Sequence, residues 1–106
     1  MYARIVTFRL DGIAAADYQD HVAAIAPEFT AWRGLLAKIW IADHAADTYG
    51  GIYLFTDRGS ADRSRDTDLF RSMAANPAFA DLDVREFDVL DEPTMVTAPA
   101  LAARAG

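Results

Sequence analysis

Three short stretches hold most of the residues whose types suit chemistry: LLAKIWIA at 35–42, GGIYLFTD at 50–57 and DVREFDVL at 83–90. Lys38, Trp40, Tyr53 and, nearer the N-terminus, Arg9 are hydrogen-bond donors able to face a developing anion. Asp88 or Glu86 can act as a base where loss of water raises its pKa. Trp40, Tyr53 and Phe55 offer flat faces to a flat ligand. Each residue also has a plain structural use. The aromatics can be interface core, Lys38 with Asp88 or Glu86 can bridge two subunits, and Arg9 can end a strand in water.

The two histidines add less. Asp17 and His21 are spaced i,i+4, so they share a helix face and could hold a metal, but two ligands are too few for a site. We expect no metal. His21 remains a candidate general base if its helix borders a cavity mouth. His44 stands among Asp43 and Asp47 in a stretch that reads as a turn. No HExxH, GxxxxGK, GxGxxG or GxSxG element occurs.

Positioning such residues requires a fold, and 106 residues allow one domain able to bury roughly two-thirds of its unfolded surface. The chain has no cysteine, which excludes disulfides and thiolate metal sites and fits a reducing cytoplasm. A formal charge of −6 disfavours nucleic acid and anionic membranes as partners. No 18-residue apolar run is present to span a membrane.

Strand-like segments are expected at 2–10, 35–42, 49–56 and 83–90, ended by turn residues such as Asp11-Gly12. Tyr18, Val22, Ile25, Ala26 and Phe29 mark one face of a helix over 15–31, with Asp17 as its cap or in its first turn and a break at Pro27. A second helical region starts at Gly59 or Ser60 and runs to Ala75. Its first half is polar, and Asp68 can cap a separate later helix. The order β-α-β-β-α-β predicts an α+β, ferredoxin-like protomer: a four-stranded antiparallel sheet with both helices on one face. We take 1–97 as this single domain and 98–106 as a C-terminal tail.

Strand alternation sorts side chains into two sets. Ala37, Ile39, Ile41, Ile52, Leu54, Phe87 and Val89 form the aliphatic-rich set, which we expect to meet the helices. Leu36, Lys38, Trp40, Tyr53, Phe55, Glu86, Asp88 and Leu90 form the other, with Thr7 and Arg9 joining it from the first strand. Left open, that face would be a large apolar patch, so a second copy should cover it. The homodimer would enclose a cavity lined by Arg9, Leu36, Trp40, Tyr53 and Phe55.

GGIYLFTD after a strand ending in KIW, followed by FDVLDEP at 87–93, resembles the YdhR monooxygenase family of the dimeric α+β-barrel superfamily, over roughly residues 3–97. The resemblance implies a homodimer whose two sheets close into a barrel, with the C-terminal segment reaching to the partner. It also implies cofactor-independent oxidation of a small aromatic or quinol by O2, without metal or flavin. Relatives that bind haem use a histidine on the helical layer. The second helical region here has none, so no cofactor is expected. The polar first half of that region departs from relatives. No catalytic motif is transferred, which leaves Lys38, Tyr53, Asp88 and His21 as candidates by type. The competing expectation is a dimer that holds a small hydrophobic ligand without turning it over.

Overall fold

Residues Tyr2–Leu10 form β1, in which Tyr2, Arg4, Val6, Phe8 and Leu10 are buried while the residues between them are less so. The structure, a computed structural model, describes residues 1–105; Gly106, the end of the expected tail, lies outside the described residues. The chain continues through α1 (Ala15–Phe29), β2 (Leu35–Asp43), β3 (Thr48–Phe55), α2 (Arg58–Ser64), α3 (Asp68–Ala75) and β4 (Phe79–Asp88), then α4 (Asp91–Thr97) and α5 (Pro99–Ala105). The sheet runs β2-β3-β1-β4 with every neighbouring pair antiparallel. This is the expected ferredoxin-like α+β arrangement.

Tyr18, Val22, Ile25 and Phe29 of α1 pack with Ala61 of α2 and Leu69, Phe70 and Met73 of α3 over one sheet face. Asp17 lies in the first turn of α1, whose cap position is Ala14 without a side-chain bond. Pro27 sits in its last turn, and the helix ends two residues later at Phe29 rather than reaching residue 31. The region 59–75 divides into two helices. Asp57 caps α2 by accepting the Ser60 amide at 2.7 Å, and Thr67, not Asp68, caps α3 through the Phe70 amide at 3.2 Å. Gly34 turns the chain into β2 at φ +83°, where a side chain would also collide with Ser60.

β4 begins four residues before the expected position. Its first part contains a bulge at Asp81, φ +55°, which breaks the two-residue alternation that marks a strand in sequence. Phe79 nevertheless stacks on Phe8 with centroids 4.4 Å apart. The C-terminal stretch, with little periodicity of its own, forms the short helices α4 and α5. The N-terminal ammonium binds Asp91 at 2.8 Å, and α5 returns to β2.

The register corrects the assignment of faces. Lys38, Tyr53, Arg4 and Glu86 form one row across the four strands, and Trp40, Gly51, Val6 and Val84 form the next row on that face. These rows lie under the helices, with Tyr53 2% exposed and Phe55 fully buried. The intervening row, Ile39, Ile52, Ile5 and Arg85, points the other way; Ile39 is 56% exposed and Phe87, in a parallel row, 44%. Along β2, β3 and β4 the two sets hold but lie on the opposite sides from those expected, whereas in β1 the helix-side rows take Arg4 and Val6, and Thr7 and Arg9, expected beside Lys38 and Tyr53, lie on the outer face with Ile5. Bulky rings fill the space between sheet and helices, where Lys38 rests among rings and Glu86 pairs with Arg4, while Asp88 stays exposed at the end of its strand.

Candidate active site

The site grows from the row beginning at Lys38. β2 projects Lys38 and Trp40 toward α1, and β3 projects Tyr53 beside them. Gly51 has no side chain between Trp40 and Val6. A Cβ there would stand 3.0 Å from Lys38 Cε and 3.4 Å from Tyr53 Cε1, so the lysine arm occupies the space the glycine leaves. The Lys38 ammonium rests 3.4 Å from the Phe29 ring centroid, 3.5 Å from Trp40 and 4.5 Å from Tyr53. Phe29 ends α1, and Trp32 follows to stack on Tyr53 at 6.0 Å and 17°. Three aromatic residues thus hold one cation by cation–π attraction.

Beyond the ammonium opens a cavity of about 120 Å³ between sheet and helices, room for about one aromatic ring. α1 contributes Tyr18, His21 and Ile25 to its wall and α3 contributes Phe70 and Met73. Among the described lining residues none is acidic. Burial pushes the Lys38 pKa down to about 7, and the ring faces, which favour the charged form, oppose part of that shift. Burial, with Tyr49 nearby, pushes the Tyr18 hydroxyl up to about 12, and burial also raises that of Tyr53. Near neutral pH both phenols stay protonated, while Lys38 divides between ammonium and free amine.

Lys38, Tyr53, Trp40 and His21 therefore share one cavity, which lies within a protomer under the helices rather than between two sheets. The remaining expected residues stand apart from it. Phe55 is packed beneath, 6.2 Å from Tyr53, without lining the cavity. Leu36 faces a separate hollow beside α5, displaced by the irregularity at the start of β2. Arg9 is on the opposite sheet face, exposed and paired with Asp81 at 3.2 Å. Asp88 is exposed at the far end of edge strand β4, opposite Tyr2.

Glu86 serves a different centre. It binds Arg4 Nε at 2.7 Å and Arg65 at 3.0 Å. Burial raises the Glu86 pKa, and hydrogen bonds from the two arginines outweigh it and hold the carboxyl below its usual range. Arg4 is fully buried and also donates to Ser64 Oγ and the Ala61 carbonyl, each at 2.7 Å. Ser64 and the Ala61 carbonyl of α2 join this network, which ties α2 to β1 and β4. Sequence reasoning missed Arg4, Phe29, Trp32 and Gly51. The available signals were Arg4 in phase with Tyr2, Val6 and Phe8, the i,i+3 spacing of Phe29 and Trp32, and the Gly-Gly pair ahead of Tyr53.

The ferredoxin-like sheet with helices over one face is a fold shared with solved antibiotic-biosynthesis monooxygenases. The family model "Putative mono-oxygenase ydhR" matches residues 5–100, and the chain belongs to that family. Similar solved structures include NE2512 from Nitrosomonas europaea, a protein of unknown function, at TM-score 0.71 and 18% identity, covering 84% of this chain and 88% of that one. A mutant of SnoaB, a cofactor-independent oxygenase from Streptomyces nogalater, matches at TM-score 0.68 and 20% identity, covering 84% and 92%. A "putative antibiotic biosynthesis monooxygenase" from Caulobacter crescentus matches at TM-score 0.69 and 16% identity, covering 84% and 89%. At these identities the likeness concerns the fold. No curated protein matches the chain. No helix among the described residues is long and apolar enough to cross a membrane.

Proposed function

We propose that the protein is a cofactor-independent monooxygenase for a small quinol-type aromatic, working as a homodimer with one cavity in each protomer. The observation that carries this reading is Lys38: a lysine near neutral pKa, held over three rings, facing an apolar cavity with no carboxylate in its lining. Membership of a family named for mono-oxygenation agrees with it.

The free amine of Lys38 takes a proton from an electron-rich one-ring phenol such as a hydroquinone. The resulting ammonium stays beside the anion, where low polarity strengthens their attraction. The anion then reduces O2 by electron transfer. Overall a quinol becomes a hydroxyquinone, one oxygen atom enters the ring in place of hydrogen and the other leaves as water, so the substrate supplies all four electrons. Tyr53 and Tyr18 remain neutral phenols that can support oxygen-centred charge.

The test is O2 uptake with a panel of anthrones and hydroquinones, with product followed by absorbance. Wild type should exceed the buffer rate, and Lys38→Met should lose on the order of 10²-fold of kcat, the usual effect of removing a general base. Trp40→Phe and Tyr53→Phe should raise KM more than they lower kcat. Saturable ligand binding without O2 uptake across the panel would instead assign the cavity to a ligand-holding dimer.

A further inference from the structure

The aromatic cavity carries polar groups at two ends. Lys38 and Tyr53, neighbours across β2 and β3, hold one. At the other, α1 presents Tyr18 and His21, and Ser72 and Asn76 stand at the end of α3. Phe79 fixes this second end. Its ring lies 6.4 Å from that of His21 and stacks on Phe8, and its amide donates to the Asn76 carbonyl at 3.1 Å. Val22 and Ile25 from α1, with Leu69 and Met73 from α3, make the walls between the ends apolar. The spacing of the ends follows from helix geometry. Phe29, whose ring centroid lies 3.4 Å from the Lys38 ammonium, comes eight residues after His21, which is about 12 Å along a helix axis. Both side chains lean the same way along the helix, so the offset carries over to them. A 1,4-quinol with a hydrogen bond of about 2.8 Å at each hydroxyl spans about 11 Å from partner to partner.

We propose that His21 receives the second hydroxyl of a 1,4-quinol whose first hydroxyl lies at Lys38, and accepts its proton during turnover. This deepens the monooxygenase reading and rests on it. Conversion of a quinol to a hydroxyquinone strips both phenolic protons, and the Lys38 amine takes only one. A neutral imidazole nitrogen accepts the other. Asn76, whose Oδ1 accepts the Ala78 amide at 3.0 Å, keeps its NH2 group as a donor to the same hydroxyl oxygen. The quinol and O2 together yield the hydroxyquinone and water. Four electrons pass from the ring to O2 and the O–O bond breaks. One oxygen enters the ring, and the hydrogen it displaces ends on the new hydroxyl. The protons held by Lys38 and His21 leave with the other oxygen as water. His21 is exposed on its outer side, so it exchanges protons with solvent between turnovers.

Calorimetry without oxygen separates binding from turnover. The probes are 1,4-hydroquinone and 4-methylphenol, which has the same shape but no second hydroxyl. Wild type should bind the quinol about five-fold more tightly, the usual net worth of one hydrogen bond. His21→Phe should bring that ratio close to one. His21→Gln, which accepts a hydrogen bond without taking a proton, should keep it. In air, His21→Gln should lower kcat on hydroquinone on the order of 10²-fold with KM little changed. Equal binding of the two probes by wild type would overturn the second contact and leave the monooxygenase reading standing. A ratio that survives His21→Phe would overturn the assignment to His21. Full kcat in His21→Gln would overturn the proton transfer. A wild type that prefers the quinol yet consumes no O2 would overturn the monooxygenase reading, and the proton transfer with it, while supporting His21 as the binding partner of the second hydroxyl.

Discussion

A lysine that loses its proton near pH 7 leaves a mark on stability as well as on catalysis. In the unfolded chain the amine titrates near 10.4; in the fold burial brings it to about 7. Between those values the unfolded chain holds more protons, so the free energy of unfolding rises with pH. The penalty for burying the ammonium is complete below pH 7 and fades as pH approaches the unfolded pKa. Tyr18, raised to about 12, acts in the opposite sense only above about pH 10, where the unfolded chain ionises first. Urea unfolding at fixed protein concentration should therefore show wild type gaining on the order of 2 kcal/mol between pH 7 and 9.5. Lys38→Met should lose that slope and be at least as stable at pH 7. An identical slope in the variant would show that another group causes it. Residue type and strand phase were enough to single out Lys38, Trp40 and Tyr53 from sequence. Arg4 could not be singled out in this way, because its burial depends on Glu86, 82 positions away, and on α2.

Elements set the walls around these residues, and α3 is the wall with the least support. It is eight residues long, has no fully buried side chain, and contributes Leu69, Phe70 and Met73 to the cavity. A helix so short depends on its cap and its packing. Thr67 supplies the cap by accepting the Phe70 amide, and its own hydroxyl donates to the Ser64 carbonyl at 2.7 Å, joining α2 to α3. Thr67→Ala should cost about 1 kcal/mol in chemical denaturation, the usual value of an N-cap. It should also weaken binding of aromatic probes, whereas Thr67→Ser should keep both properties. Loss of stability with unchanged binding would mean that α3 does not shape the cavity. The two-helix division was visible in the polar run before Leu69, although the capping residue is one position earlier than the sequence suggests. Strand order was legible from the alternation of element types. The face each strand presents was not, because alternation gives the partition of side chains and leaves its orientation open. Depth decided the orientation: Tyr53 and Phe55 fill the thickness between sheet and helices with Trp40 at its partly exposed edge, while Ile39, Ile52 and Leu54 form a shallow outer surface.

The protomer exposes more surface than its mass requires. A monomer of 11.6 kDa has an accessible surface near 5,800 Å² on the usual scaling, whereas this chain exposes 6438 Å². Its radius of gyration is 14.4 Å, against about 13 Å for a self-contained domain of this length. The excess agrees with the open sheet face, where Ile39 and Phe87 stand exposed with Ile5, Ile52 and Leu54 half-buried, and with Leu90, Met95 and Val96 exposed at the C-terminal end. A patch of this kind seeks a partner, and the simplest one is the same face of a second copy, related by a two-fold axis. A stable interface needs roughly 800 Å² from each side, which a four-stranded face can supply. In that assembly the aliphatic rows meet between protomers, and both cavities remain under their own helices, away from the interface. Ile39→Asp puts a charge on the edge-strand β2 side of the outer surface, harmless to the isolated protomer and costly once a partner removes water from it. Light scattering after size exclusion should give wild type twice the 11.6 kDa chain mass and Ile39→Asp the chain mass itself, with circular dichroism unchanged. A wild-type protein at 11.6 kDa across micromolar concentrations would remove the homodimer. Because the aromatic cavity is complete within one chain, a monomeric Ile39→Asp should still bind a one-ring probe such as phenol, and loss of that binding would move part of the site to the partner.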